Sequence, residues 1–113
     1  MKIKMVSLSN NEEFKNLIKG KRINNKYFTI FFKKLINKNT KFLNISFVTK
    51  RKLGNAVKRN KIKRRLRQIM RDAINKISLN LNYSYLIIAK SAVLKDEYTS
   101  IKKTVFSNFE GIK

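Results

Sequence analysis

Residues 50–71 set the terms on which this chain can fold. Eleven of these 22 residues are Lys or Arg, and none is acidic. An apolar repeat nevertheless runs through them and beyond: Ile62, Leu66, Ile69, Met70, Ala73 and Ile77. That spacing keeps to one side of a 3.6-residue helix. Asn60, Arg64, Arg67 and Arg71 fall on the opposite side. Such a helix must bury one face against the rest of the chain, and it then presents an aligned row of cations on the other. Gly54-Asn55 reads as its start, with Asn55 placed to cap it. Val57 projects onto the basic side and Arg59 near the apolar side. The first turn is therefore expected to overhang the edge of the core, with Arg59 reaching solvent.

A charge run is ordinarily a solvated face. Here no carboxylate is available for i,i+4 pairing before Asp72, and like charges this dense repel. Residues 14–71 hold 20 Lys or Arg and no acid, and the whole chain carries a net charge of +22. Charge of this kind points to a polyanion. At 113 residues and 42% hydrophobic content the chain is read as one folded domain, residues 1–113, not a disordered basic tail. The uncompensated charge is expected to leave the free protein partly unfolded at low salt. There is no Cys, hence no disulfide, and no apolar run long enough to span a membrane.

Catalytic groups are scarce. With no His and no Cys, imidazole and thiol chemistry are absent. The six acids include two adjacent pairs, Glu12-Glu13 and Asp96-Glu97; both sit at expected helix starts, where the helix dipole explains them. Three glycines, Gly20, Gly54 and Gly111, cannot make a phosphate loop. The chain reads as a binding protein.

In chain order, residues 1–8 are a basic lead-in. Ser9, Asn10, Asn11 and Glu12 fit a capping box. Phe14, Leu17 and Ile18 form one stripe of a helix that Gly20 stops. Residues 21–26 read as a polar connection. Residues 27–33 read as a strand. Its Phe28, Ile30 and Phe32 face the core; Tyr27, Thr29, Phe31 and Lys33 share the other side. A turn leads to a second strand over residues 42–49, where Leu43, Ile45 and Phe47 alternate with Phe42, Asn44, Ser46 and Val48. After the basic helix and a polar break, residues 83–90 read as a buried strand. Asp96 is placed to cap a last helix with Tyr98, Ile101, Val105 and Phe109 as its stripe. The class is α+β.

Residues 52–67 resemble the signature of the bacterial ribonuclease P protein subunit. Lys52, Gly54, Ala56, Val57, Arg59, Asn60, Lys63, Arg64 and Arg67 match it, and Lys61 stands where the pattern has a second Arg, keeping the charge but losing the bidentate fork. Ile87-Ile88-Ala89-Lys90 resembles a later strand of the same family, with Lys90 in place of its usual Arg. The resemblance implies a small two-layer α/β sandwich of order α-β-β-(β)-α-β-α. Its central sheet would be mostly antiparallel, with a left-handed βαβ crossover against the usual preference. It implies a subunit that binds a catalytic RNA and the 5′ leader of precursor tRNA, while that RNA cuts the leader away with its own magnesium ions. Lys52, Asn55, Arg59, Asn60, Lys61, Lys63, Arg64, Arg67 and Arg71 would grip the RNA. Phe14, Ile18, Phe31 and Lys33 would line the leader cleft, although spacing alone makes Phe14 a core residue. No catalytic residue, metal ligand or cofactor is implied for the chain itself, and no obligate protein partner. The setting would be cytoplasmic. A ribosomal protein or a DNA-compacting protein would share the charge, but not this signature.

Overall fold

The computed structural model describes residues 4–7, 11–34 and 42–112, the side chains of residues 11–14 excepted. The elements are β1 (Met5–Val6), α1 (Asn11–Ile18), β2 (Lys21–Asn24), β3 (Phe28–Lys34), β4 (Leu43–Val48), a 3-10 turn (Arg51–Leu53), α2 (Ala56–Lys76), β5 (Tyr83–Ala89), α3 (Ala92–Lys95) and α4 (Tyr98–Glu110). The expected capping residues Ser9 and Asn10 lie outside the described residues.

One five-stranded sheet has the order β1-β4-β5-β3-β2. It is mixed: β1–β4 and β4–β5 run parallel, while β2–β3 and the longer β3–β5 ladder run antiparallel. The parallel β4–β5 pair requires a long connection, and α2 supplies it. Residues 21–26, expected as a polar connection, instead contain β2. An edge strand pairs on one side only and is often charged, so Lys21-Arg22-Ile23-Asn24 lacks an apolar alternation. Ile23 is its single residue packed against the main core. The same reasoning covers β1, where Met5 packs inward and Val6 is exposed.

The main core lies on one face of the sheet. Phe28, Ile30, Leu43, Ile45, Tyr85 and Ile87 meet Ile62, Leu66, Ile69, Met70 and Ala73 of α2 and Ile101, Val105 and Phe109 of α4. The Tyr85 ring sits edge-on to Phe109 at 5.1 Å. On the other face a smaller cluster joins Leu17 of α1 to Phe31 and Leu86. Gly20 lets α1 end against β3, since a Cβ there would lie 2.9 Å from the Phe32 carbonyl oxygen. Tyr27 departs from the expected alternation and belongs to the main core. It precedes β3, in a turn where the Asn25 side-chain oxygen accepts from the Tyr27 and Phe28 amides.

Asp96 does not cap α4; Glu97 holds that position and makes no side-chain cap bond. The Asp96 carboxylate instead accepts from the Tyr27 hydroxyl and the Lys26 ammonium, each at 2.8 Å. Asp72 is likewise held by Lys102 at 3.1 Å and by the Tyr98 hydroxyl at 3.1 Å. Hydrogen bonding from Lys102, then Tyr98, holds the Asp72 carboxyl below its ordinary 3.8. Lys26, then Tyr27, does the same for Asp96.

At the start of α2, Gly54 has φ 135° and ψ −166°, a conformation open essentially to glycine. The Asn55 side chain accepts from the Lys58 amide at 3.0 Å, the expected cap. Gly54→Ala is predicted to cost about 1–3 kcal/mol and Asn55→Ala about 1 kcal/mol in urea denaturation. Wild-type values for both would show that α2 does not depend on this start. Asp72 and Asp96 have lowered folded-state values, so their contribution is present above 3.8 and is lost as pH falls below it. Thermal melts should therefore show an acid-side loss that is shallower in an Asp72→Asn, Asp96→Asn double variant; an equal slope would refute these two carboxylates as its source.

Candidate nucleic-acid interface

Helix α2 divides as its sequence pattern requires. Ile62, Leu66, Ile69, Met70 and Ala73 are buried. Asn60, Lys61, Arg64, Arg67 and Arg71 are exposed along the other side, and Lys63 is half-buried. Val57 also points outward and is 68% exposed, which agrees with its place on the basic side. Arg59, expected to reach solvent, does so only in part. It is half-buried, and its Nε is enclosed without a hydrogen-bond partner. Its position three residues before Ile62 and seven before Leu66 places its stem beside the apolar stripe.

Not every cation on α2 is free. The Arg65 guanidinium donates to the carbonyls of Val93 at 2.8 Å and Asp96 at 3.3 Å, tying α2 to the α3–α4 junction. The single acid of α2, Asp72, is turned toward Tyr98 and Lys102 of α4. Its charge is thus spent inside the fold. The exposed row is bordered by two open grooves. One, of about 670 Å³, runs along the α4 side between Lys61, Arg64, Gln68, Arg71 and Tyr98. The other, of about 430 Å³, lies between the row and the β1–β4 edge, where Met5, Val6 and Phe47 face Arg67 and Arg71. Arg67 and Arg71 border both.

A second basic surface lies on the α1 face of the sheet. Strand register sets Arg22, Phe31 and Leu86 side by side across β2, β3 and β5, and Asn24, Thr29, Ile88 and Val48 in the next row. A cleft of about 350 Å³ is lined by Arg22, Thr29, Phe31, Lys50, Lys52, Leu53, Ile88 and Lys90. It brings Phe31 and Lys52 together, one from each of the two expected residue sets. Phe31 forms its floor and is 8% exposed, because Leu17 and Leu86 cover most of the ring. Lys33 is exposed farther along β3, and Ile18 is 54% exposed on α1; neither lines this cleft. The Phe14 side chain lies outside the described residues.

Arg22, Lys50 and Lys90 are not among the site residues expected from the sequence. Lys90 donates to the Asn24 side chain at 2.5 Å and to the Asn25 carbonyl at 2.6 Å, closing the cleft against the β2–β3 turn. The signal for Lys50 was its place in the basic run. Arg22 could be found only once residues 21–24 were recognised as an edge strand opposite Phe31. Among the described residues, no three His, Cys, Asp or Glu side chains come together as a group able to hold a metal ion.

The chain was compared with known proteins. A family model described as Ribonuclease P matches residues 3–113. The ribonuclease P protein component of Mycoplasma mycoides subsp. mycoides SC is 34% identical over 114 residues, covering 100% of both chains. That of Fusobacterium nucleatum is 35% identical over 114 residues, covering 96% of this chain and 98% of the relative. The solved RNase P protein from Thermotoga maritima superposes with a TM-score of 0.79 at 25% identity, covering 96% and 98% of the two chains. The Staphylococcus aureus RNase P protein gives a TM-score of 0.70 at 23% identity, over 91% and 90%; at that identity the match speaks for the fold. The signature on α2, the order of elements and the matched length agree, and the chain belongs to the ribonuclease P protein family.

Proposed function

We propose that this chain is the protein subunit of a cytoplasmic bacterial ribonuclease P, gripping the catalytic RNA with α2 and the 5′ leader of precursor tRNA with the α1 face of the sheet. The observation that carries the reading is the division of α2: Lys61, Arg64, Arg67 and Arg71 form one exposed row, and the helix's only acid is held by α4. Arg64, Arg67 and Arg71 offer planar forks that match phosphate oxygens. Asn60 adds an amide to the same row, and Lys52 stands at the mouth of the cleft, between the two surfaces.

The leader would cross the cleft above Phe31, its phosphates facing Arg22, Lys50 and Lys90 and, farther along, Lys33. With its ring mostly covered, Phe31 supplies an apolar floor more than a stacking platform. In this reading the magnesium ions that activate the hydrolytic water belong to the RNA subunit. The chain's own residues bind and orient: they offset the repulsion between two RNA backbones, so less magnesium is needed for docking. Each phosphate contact releases a condensed counterion, so binding weakens steeply with salt.

Cleavage of precursor tRNA by a bacterial ribonuclease P RNA, at low magnesium, tests the reading. The protein should rescue cleavage. Arg64→Ala should weaken assembly and lower the slope of log affinity against log salt by about one. Lys33→Ala is exposed, so it should weaken substrate binding only about two- to fivefold, and only when the substrate carries a leader. Tight RNA binding without rescue would contradict the proposal.

A further inference from the structure

The groove between α2 and α4 holds one residue that its charge does not explain. Lys61, Arg64, Arg65, Arg67 and Arg71 present only N–H donors to it. A surface of donors recognises phosphate, which RNA and DNA share. Gln68 lies in the middle of this set, exposed, and carries both a donor and an acceptor.

The fold orients that amide. The Gln68 Nε2 donates to Asp72 Oδ1 at 3.4 Å. Asp72 Oδ2 is occupied by the Tyr98 hydroxyl and by Lys102 Nζ, each at 3.1 Å. Asp72 is thus pinned from α4, and its remaining oxygen draws the amino side of Gln68 toward it. The Gln68 carbonyl Oε1 is left as an acceptor within a row of donors. The Tyr98 oxygen is the other acceptor lining the groove; its hydrogen is directed to Asp72 and its lone pairs are partly delocalised into the ring, so it is the weaker of the two.

We infer that Gln68 accepts a hydrogen bond from a ribose 2′-hydroxyl of the RNA lying in the α2–α4 groove, making this the position at which the basic face distinguishes RNA from DNA. The surrounding cations fix the phosphates on either side of that ribose, and the 2′-hydroxyl is the one sugar group that RNA has and DNA lacks. Asp72 acts as a positioning residue, held in turn by Tyr98 and Lys102. The inference rests on the proposed grip of α2 on the catalytic RNA.

The test uses the full chain and a bacterial ribonuclease P RNA transcribed with 2′-deoxynucleotides at random, sorted into bound and free pools. Wild-type protein should exclude the deoxy form at one or a few riboses. Gln68→Met, which keeps length and volume but lacks the acceptor, should lose the exclusion at one of them. Its affinity for the unmodified RNA should fall about three- to tenfold. Its salt slope should stay the same, because no charge is removed. An exclusion profile identical to wild type would overturn the inference while leaving the proposed function standing. Wild-type protein that binds this RNA no better than an unrelated folded RNA would overturn the proposed function, and this inference with it.

Discussion

The burial of one side of α2 against the sheet is the interaction on which the rest depends. A helix carrying this many cations loses a few tenths of a kcal/mol at each like-charged i,i+4 pair. Burying Ile62, Leu66, Ile69 and Met70 returns about 1.5–3 kcal/mol for each side chain. Packing therefore outweighs repulsion, but only while the sheet supplies the surface. Arg65 apart, the cations of α2 do not stabilise the fold. They are displayed by it, and their favourable partner is an external polyanion.

The few acids serve that display. Asp72 and Asp96 sit on or beside the elements that pack against α2, and each is held by hydrogen bonds and a Lys from another part of the chain. Arg65 closes the same junction from the α2 side. These contacts fix α3 and α4 against α2 without placing negative charge on its outer row. On the sheet's far face, α1 covers the region of Leu17, Phe31 and Leu86 and leaves an open, basic-walled cleft beside it. One helix is too little to seal that face, and the exposed remainder is what a single strand of nucleic acid could occupy.

Much of this was legible in the sequence. The period of the apolar residues located α2 and its buried side; the alternation in residues 28–32 assigned Phe28 and Ile30 to the core and Phe31 to the opposite face. The signature specified the family. What could not be read were features fixed by distant neighbours. Strand β2 has no apolar alternation because an edge strand does not need one, so Arg22 was missed. Asp96 looked like a cap because its partners, Lys26 and Tyr27, lie some 70 positions away in sequence. The partial enclosure of Arg59 could not be read because wheel position alone does not show how far the core extends beneath the first turn. The mixed pairing of the sheet depends on β1 and β4, whose parallel register no local pattern announces.

The absence of cysteine makes one experiment unusually direct. A single cysteine at Asn60, or alternatively at Lys33, carries a tethered iron–EDTA cleavage reagent, and the assembled complex with ribonuclease P RNA and precursor tRNA is probed. Cuts from position 60 should fall in the catalytic RNA, and cuts from position 33 in the 5′ leader. Cuts from both positions in the same RNA would contradict the assignment of the two surfaces to two different strands.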